Sequence, residues 1–398
     1  MASDRMSVGV IGGGIGGLTA ALSLLRAGVD AHVYEQARSL SEVGAGIQIG
    51  PNASRILHRL GLADALATTG VKPLARHQRR WDDGRTLLLT PLAGPIEATF
   101  GAPYYQMHRA DLMTALSRAL PADHLHLEHR LTALVDRGTH VEAEFENGGH
   151  ISVAALIGAD GIHSAVRRVA FGPENPHFTG CVAYRGLVPA KRLAHLDLEV
   201  TAQVWVGPGK HFVHYFVRNR LLVNFVAIIE KESWTRESWT DRGELADALV
   251  AFEGWHPQVR SILGAVDETF IWALLDRKPM ARWSVGRITL LGDACHAMLP
   301  FLGQGAAQAI EDATALAACL SQIGTADIPE ALRRYERVRL PRTSRIQAMS
   351  EANRTRFHLP DGQGQQERDA ELARVTNAES IMTVGWLYGF DQDLSMPP

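Results

Sequence analysis

The sequence predicts an α/β protein in which a Rossmann-like domain is interrupted by a second domain built on a sheet. A short apolar run at Val8–Ile11 passes into a glycine-rich turn and then into a helical pattern. Buried-strand patterns return much later, at Leu156–Gly158 and Arg287–Leu291. Between them, residues 181–275 carry alternating strand-like runs and most of the tryptophans. The chain therefore leaves the first domain and returns to it.

This organisation predicts three regions. We expect the Rossmann-like domain to comprise residues 1–75, 100–180 and 276–350, and the inserted domain to comprise residues 76–99 and 181–275. Residues 351–398 are predicted to form a C-terminal helical or tail region. Within it, the polar segment Asp361–Glu371 is predicted to be a loop, and Trp386, Tyr388 and Phe390 are predicted to be packing anchors.

The composition argues against several classes of protein. The hydrophobic fraction of 46% and the charged fraction of 21% are typical of a soluble globular chain. The net charge of -3 and the absence of a basic patch give no reason to expect nucleic acid. No apolar run has the length of a membrane span, and the short polar start leaves no room for a signal peptide. The cysteines, Cys181, Cys295 and Cys319, are far apart and lack metal-ligand spacing, so we expect a cytoplasmic protein without a metal site.

The glycine-rich turn predicts a dinucleotide site. Gly12, Gly14 and Gly17 have the G-x-G-x-x-G spacing, between the first strand and a helix predicted at Ile15–Ala27. In this pattern the first glycine permits the tight turn, the second lets the backbone approach a pyrophosphate, and the third lets the helix pack on the strand. Glu35 ends the next strand, near the position at which an acidic side chain bonds a ribose 2′-OH and disfavours a 2′-phosphate. The site is therefore predicted to hold FAD or NAD.

Two later glycine–acid pairs extend this site. Asp160 and Gly161 follow the strand at Leu156–Gly158, and Gly292 and Asp293 follow the strand near residue 290. Each pair lies at the carboxyl end of a strand, which is the ligand-binding edge of an open α/β sheet. The three sites occur in one chain in a fixed order, so separate turns or helix caps are a weaker explanation than one extended cofactor site.

Together with His108-Arg109-Ala110-Asp111-Leu112, these motifs resemble the single-component flavoprotein aromatic hydroxylases, the family with the p-hydroxybenzoate hydroxylase fold. The resemblance covers nearly the whole chain and implies bound FAD. It implies that Glu35 binds the adenosine ribose and Asp293 the ribitol, and that the Asp160 motif serves both FAD and nicotinamide binding. The residues expected to contact the cofactor are Gly12, Gly14, Gly17, Glu35, Gln48, Arg109, Asp160, Gly161, Gly292, Asp293, Gly303 and Gly305.

Within the family, the chain is most similar to salicylate hydroxylase, 3-hydroxybenzoate 6-hydroxylase and 6-hydroxynicotinate 3-monooxygenase. The segments that carry this similarity are Gly44–Asn52, His211–Tyr215, Pro300–Gly305 and Trp386–Phe390. The resemblance implies that a small phenolic carboxylate of the salicylate or hydroxybenzoate type is hydroxylated with NAD(P)H and O2 through a flavin C4a-hydroperoxide. It favours NADH over NADPH and allows a homodimer.

A strand pattern at Phe212–Val217 supplies candidates for the chemistry. Because side chains alternate along a strand, His211 and Tyr215 share one face, and His214 lies on the other. A phenolate is a better nucleophile than a phenol, so the enzyme needs a group that removes or stabilises the phenol proton. His211 is predicted to be that base and Tyr215 a hydrogen-bond partner of the substrate, as the resemblance also implies, whereas His214 is predicted to be structural.

Two departures from the hydroxynicotinate branch bear on the substrate. Gln48 stands where that branch has a histidine, and Phe301 stands where it has a polar ring. Both favour salicylate or a hydroxybenzoate over a hydroxypyridine. The remaining alternatives are a 6-hydroxynicotinate-type monooxygenase, a non-hydroxylating FAD oxidoreductase on the same fold, and a non-enzymatic flavin-bound redox sensor.

Overall fold

The structure is a computed structural model that describes residues 6–40, 45–234, 242–321 and 323–392; the parts of the predicted regions beyond these ranges are outside the described residues. Its strands are β1 (Ser7–Ile11), β2 (Asp30–Tyr34), β3 (Gly46–Ile49), β4 (Ala75–Arg80), β5 (Thr86–Pro91), β6 (Tyr105–His108), β7 (Leu125–His126), β8 (Leu131–Asp136), β9 (Val141–Phe145), β10 (His150–Val153), β11 (Ala155–Gly158), β12 (His177–Pro189), β13 (Ala202–Gly207), β14 (Lys210–Val217), β15 (Leu222–Glu230), β16 (Arg242–Gly243), β17 (Thr269–Asp276), β18 (Ser284–Val285) and β19 (Ile288–Leu290). Its helices are α1 (Ile15–Arg26), α2 (Pro51–Arg59), α3 (Ala63–Thr69), α4 (Pro95–Phe100), α5 (Arg109–Ala119), α6 (Ala165–Phe171), α7 (Leu245–Ala251), α8 (Pro257–Gly264), α9 (Asp293–His296), α10 (Gly305–Leu320), α11 (Ile328–Phe357), α12 (Gln363–Ala373), α13 (Asn377–Thr383) and α14 (Gly385–Tyr388).

The first sheet, called the parallel sheet here, has the strand order β18-β19-β11-β1-β2-β7 among the described residues. Its central strand β1 pairs in parallel with β2 and β11, and the apolar residues of these strands join α1 and α10 in one core. Strands that are buried on both faces have short, continuous apolar sequences, and β1, β11 and β19 show this pattern. The predicted Rossmann-like α/β fold is confirmed, and α10 has the predicted bounds.

The second sheet, called the broad sheet here, has the order β16-β17-β12-β15-β14-β13-β4-β5 in the part of the chain that the structure describes. Its strands pair antiparallel except for β4 and β13. One face packs against α7 and α8 in a second core, and the other face borders the candidate site. Most of these strands fall within the predicted inserted domain, although β12 begins at His177. The exact domain boundaries stay a prediction.

The predicted loop Asp361–Glu371 is wrong, because most of it belongs to the helix α12. Its polar residues Arg368 and Asp369 are buried and paired with each other at 2.7 Å. Asp369 also accepts a hydrogen bond from Arg85, in the turn between β4 and β5, at 2.6 Å. The polar composition of this segment predicted exposure to solvent. Ion pairing with a segment that is distant in the sequence allows these charges to be buried.

The aromatic tail packs as predicted around buried Tyr388, whose ring meets that of Phe100 edge-on at 6.3 Å. The Arg342 guanidinium lies 3.7 Å from the centre of the Phe390 ring and 5.8 Å from that of Trp386. These contacts are cation–π interactions, which hold aromatic rings beside buried cations.

The three cysteines are free and buried. Burial raises the pKa of the Cys181 thiol to about 12 and that of Cys319 to about 11. The thiolate is the reactive form, so these groups are unreactive at neutral pH. Within the described ranges, no helix has both the length and the apolar character that crossing a membrane would need.

A buried ion network joins the helices α10 and α11. Arg339 has no exposed surface and contacts Glu311 at 2.6 Å and Asp312 at 2.7 Å. Glu311 also accepts hydrogen bonds from Arg342 at 2.7 Å and from Asn52 at 2.6 Å. Burial alone would raise the pKa values of the two carboxyls, but the cations lower them below the ordinary values. The network is therefore charged and internally balanced.

Removing the central cation is expected to destabilise the fold. Arg339→Met leaves two buried carboxylates with too little positive charge, which costs about 3–5 kcal/mol for a buried pair. The exposed Arg337 on the same helix pairs with Glu330, and Arg337→Met serves as the control, with an expected cost of about 0–1 kcal/mol. Urea unfolding measures both. Equal destabilisation would contradict a special role for Arg339.

Candidate active site

A trough of two adjoining cavities lies along the carboxyl ends of β1, β11 and β19. It consists of two cavities of about 540 and 360 Å³, and Gly14 and Gly161 line both. We call the larger one, which Glu35 lines, the nucleotide cavity, and the smaller one, which His211 and Tyr215 line, the ring cavity. The carboxyl ends of parallel strands are the usual ligand site of an open α/β sheet.

The three glycines of the first turn have different surroundings. A Cβ on Gly17 would lie 1.9 Å from the Gly12 oxygen, and a Cβ on Gly12 would lie 2.4 Å from the Ala159 oxygen. Gly12 also has a φ of +108°, which favours glycine. By contrast, apart from Gly14 and its two chain neighbours, no heavy atom of the described residues lies within 4 Å of a Cβ placed on Gly14. Gly17 therefore serves packing, while Gly12 and Gly14 line the trough.

Glu35 supports this turn from the end of β2. Its carboxylate accepts hydrogen bonds from the backbone N–H of Gly13 at 2.6 Å and of Ala37 at 2.8 Å. Carboxylate oxygens have further lone pairs, so a ribose hydroxyl in the nucleotide cavity can donate to Glu35 while these bonds remain.

Asp160 is engaged mainly with the first turn of α6. It accepts hydrogen bonds from the Ser164 hydroxyl at 2.5 Å and from the backbone N–H groups of Ala165 and Val166 at 2.7 and 3.1 Å. Burial raises the pKa of Asp160, and these bonds oppose the rise. Asp160 therefore shapes the turn, and Gly161, with a φ of +76°, brings the backbone to both cavities.

The second glycine–acid pair meets the start of α10 at the ring cavity. Gly292, Asp293, Gly303 and Gly305 all line this cavity. Because α10 begins at Gly305, its first N–H groups and its dipole favour negative charge there. Arg109, at the start of α5, lines the same cavity. With the open space at Gly14, this trough fits an extended FAD, whose reduced ring carries negative charge.

The strand β14 presents His211, Val213 and Tyr215 to the ring cavity, in agreement with the predicted alternation. His214 does not line this cavity, and burial lowers its pKa to about 3. Burial, and to a smaller degree the neighbouring His358, lowers the pKa of His211 well below the ordinary value. His211 is therefore neutral at pH 7 and can accept a proton.

Gln48 lies at the Tyr215 end of the ring cavity. It accepts a hydrogen bond from the Tyr104 hydroxyl and hydrogen-bonds Tyr215. It also borders the cofactor side, because a Cβ on Gly303 would lie 3.8 Å from its side chain. The sequence predicted Gln48 to be a cofactor contact and a departure that bears on the substrate, and the structure adds its contacts with two tyrosines.

Two residues that the sequence analysis did not identify extend the site behind His211. The Nδ1 atom of His211 lies 2.7 Å from Nε2 of His358, which follows the last residue of α11. The Nδ1 atom of His358 lies 2.9 Å from the Glu230 carboxylate. A histidine after a helix carries no local sign of such a contact, because only the tertiary packing of α11 against β14 creates it.

Apolar groups cover the other side of His211. The Phe301 ring lies 4.8 Å from the His211 ring, and Phe357 meets His211 edge-on at 5.4 Å. Pro300 and Val213 line the ring cavity. Phe301, which stands where the hydroxynicotinate branch has a polar ring, therefore lies directly beside the predicted base.

Among the residues that the structure describes, two groups of side chains have the residue types and spacing of metal ligands. His32 and His124, beside Asp30, stack with ring planes only 9° apart. Stacked imidazoles do not direct their in-plane nitrogen lone pairs to one ion. In the second group, Asp312 is hydrogen-bonded to His296 at 2.5 Å and belongs to the ion network with Arg339. The expectation of no metal site stays a prediction.

Comparisons with known proteins place the chain in a family. The FAD binding domain family matches residues 5–350. The chain is 43% identical to 3-amino-4-hydroxybenzoate 2-monooxygenase PtmB3 of Streptomyces platensis, with 98% of each chain covered. It is 38% identical to 6-hydroxynicotinate 3-monooxygenase of Pseudomonas fluorescens, with 88% of this chain and 92% of that protein covered. The chain also aligns with a solved structure described as a salicylate hydroxylase substrate complex. That alignment covers 100% of each chain, with a TM-score of 0.85 and 26% identity.

Filling the trough at Gly14 is expected to weaken FAD binding without harming the fold. Gly14→Val places a side chain where the described protein leaves open space, and overpacking a filled site costs about 1–3 kcal/mol, or about tenfold or more in affinity. Gly324→Val is the control. Gly14 precedes α1 and Gly324 precedes a short 3-10 helix (Thr325–Asp327), and both have extended backbone (φ −71° and −82°) and open space where a Cβ would lie.

The measurements are FAD titration of the apoprotein and its thermal unfolding. We expect reduced FAD affinity for Gly14→Val alone, and an apoprotein melting temperature close to that of the wild type for both variants. Wild-type FAD affinity in Gly14→Val would show that the cofactor does not pass this turn.

Proposed function

This chain belongs to the FAD binding domain family and is an FAD-dependent aromatic monooxygenase, and we propose that its substrate is a small phenolic carboxylate. The proposed substrate class is that of salicylate and the hydroxybenzoates, including amino-substituted ones. Electrons come from a nicotinamide cofactor, NADH in preference to NADPH, as the family branch implies. We also propose a cytoplasmic location and a homodimer on the same basis.

One observation carries the proposal: a neutral histidine and a tyrosine share one face of β14 and line the same ring cavity as the glycines of the cofactor site. His211 and Tyr215 are four residues apart on β14, so their Cα atoms are about 13 Å apart. That span leaves room for one aromatic ring with a polar substituent at each end.

The two ends suit different substituents. His211 is neutral, so it accepts the proton of a phenol hydroxyl and leaves the ring electron-rich. Burial raises the pKa of Tyr215, so its hydroxyl stays protonated and can donate a hydrogen bond to a carboxylate. The Gln48 amide, which hydrogen-bonds Tyr215, lies at the same end. The substrate is therefore proposed to lie with its hydroxyl at His211 and its carboxylate at Tyr215.

The walls of the cavity limit access by water. Val213, Val226, Ile228 and Leu299 line it, and Phe301 packs beside His211. The bound FAD supplies the oxygen transfer when reduced, and a dry cavity favours transfer to the ring over loss as H2O2.

The named relatives narrow the substrate further. Proteins similar to this chain over nearly its full length are named 3-amino-4-hydroxybenzoate 2-monooxygenases, which supports an aminohydroxybenzoate. The similarity to a 6-hydroxynicotinate 3-monooxygenase makes a hydroxypyridine carboxylate the second candidate. Gln48 and Phe301, which depart from that branch, favour the benzoate class.

A substrate panel tests the proposed class. The panel comprises 3-amino-4-hydroxybenzoate, salicylate, 3-hydroxybenzoate and 6-hydroxynicotinate, with NADH oxidation, H2O2 release and product identity measured together. We expect a benzoate to stimulate NADH oxidation with little H2O2. Preferred turnover of 6-hydroxynicotinate would favour the second candidate, and NADH oxidation without any hydroxylated product would contradict both.

Replacing the proposed base is expected to slow hydroxylation. His211→Gln removes proton acceptance, and a positioned general base contributes about 10²–10⁴-fold. In the variant, the remaining rate should rise with pH towards the phenol range near about 10, because only ionised substrate reacts. The wild type should not need alkaline pH, because the pKa of His211 is lowered and the base is neutral at pH 7.

His214→Gln is the matched control, because His214 is also buried on β14 but faces away from the ring cavity. The fraction of NADH oxidation that yields product, measured from pH 6 to 10, should fall for His211→Gln and not for His214→Gln. If both variants kept wild-type coupling and pH dependence, the role of His211 would be wrong.

A further inference from the structure

We propose that His358 and Glu230 form a proton relay that carries the substrate's phenol proton from His211 to the protein surface. This inference rests on the proposed function, because it assigns the exit route of the proton that His211 accepts. It gives a task to two residues that do not line the ring cavity and lie far from His211 in the sequence.

The three side chains form one hydrogen-bonded line. Nδ1 of His211 lies 2.7 Å from Nε2 of His358, and Nδ1 of His358 lies 2.9 Å from Oε1 of Glu230. The exposure of these groups increases along the line. His211 is 1% exposed and His358 is 5% exposed, whereas half of the Glu230 side chain is exposed. The line thus begins at the cavity and ends in water.

A buried base needs such a route. Burial lowers the pKa values of His211 and His358, so neither histidine holds an added proton for long without a place to pass it. The rings of Phe301 and Phe357 pack against His211 and exclude water from its sides. The described contact from His211 Nδ1 to a proton acceptor is the one to His358.

The donors and acceptors along this line are compatible with proton transfer from His211 through His358 to Glu230. Before transfer, His211 carries its proton on Nδ1 and donates to Nε2 of His358, and His358 donates from Nδ1 to Glu230. The substrate O–H bond then breaks as Nε2 of His211 takes the proton. His211 passes its Nδ1 proton to His358, which passes its own to the Glu230 carboxylate and hence to water. Both histidines end neutral with their tautomers exchanged, and the reverse transfer restores them.

Backbone contacts hold the relay in place. The N–H of Gly209 donates to the His358 carbonyl at 3.0 Å, and the N–H of Glu230 donates to the Gly209 carbonyl at 3.0 Å. The turn between β13 and β14 therefore fixes the end of α11 against the end of β15. A histidine pair that only filled space would not need an exposed carboxylate in line with it.

The test uses the FAD-loaded full-length protein and 3-amino-4-hydroxybenzoate as the probe. His358→Gln and Glu230→Gln keep polar groups that can hydrogen-bond their neighbours but cannot relay a proton. Glu232→Gln is the matched control, because Glu232 is exposed two residues further along the chain and its replacement removes the same charge. Stopped-flow absorbance follows ionisation of the bound phenol before reduction, in H2O and in D2O.

We expect ionisation to slow by about tenfold or more in His358→Gln, with a larger solvent isotope effect than in the wild type. Glu230→Gln should be slower than the wild type and recover as imidazole buffer is added, since a small base can replace an exposed acceptor. Glu232→Gln should match the wild type. A merely structural role would change neither the isotope effect nor the response to buffer.

The outcomes separate the two proposals. If the wild type neither ionises nor hydroxylates this probe or the other panel phenols, the proposed function fails. If the wild type does both, and His358→Gln and Glu230→Gln ionise the probe at the wild-type rate with the wild-type isotope effect, the relay alone is overturned. Thermal unfolding confirms that each variant is folded, and Glu230→Gln, at the surface, tests the relay if His358→Gln does not fold.

Discussion

The buried ion network around Arg339 is the interaction on which the rest of the site depends. Arg339 connects α11 to Glu311 and Asp312 of α10, and Asp312 in turn accepts the Gly292 backbone N–H at 3.0 Å. Glu311 reaches Asn52 at the start of α2. One cation thus aligns the helix whose first turn borders the ring cavity, the second glycine–acid loop and the segment after Gln48. Buried charges impose such geometry because each must be paired where it lies.

The same network continues to the C-terminal tail. Arg342 bonds Glu311 and also donates to the backbone carbonyls of Trp386 and Leu387 at 3.1 and 3.0 Å. Tyr388 packs near Tyr104 with ring centres 5.9 Å apart, and Tyr104 bonds Gln48. The tail therefore supports the Tyr215 end of the ring cavity through Tyr104 and Gln48. This explains why residues so late in the chain belong to the same structural unit as the glycine turns.

Residues at the strand ends of the parallel sheet and residues of the broad sheet line the same cavity, and each sheet contributes a different property. The parallel sheet contributes backbone: glycine turns and a helix start that accommodate an extended anionic cofactor. The broad sheet contributes side chains on a rigid strand. His211 and His214 show how strongly the position on the strand matters. They are the same residue type three positions apart, yet only His211 faces the cavity. The alternation of the strand separates a candidate base from a buried structural group.

The sequence by itself determined the features that depend on near neighbours. The glycine spacing at Gly12, Gly14 and Gly17, the bounds of α10 and the shared face of His211 and Tyr215 follow from local backbone rules. Tertiary structure alone decided the contacts between distant segments. It buried Asp369 in a helix, although the polar composition of that segment had predicted a loop. It also placed His358 and Glu230 behind His211. The physical reason is that periodicity and turn chemistry act over a few residues, whereas the partner of a buried charge or ring nitrogen is set by packing across the whole chain.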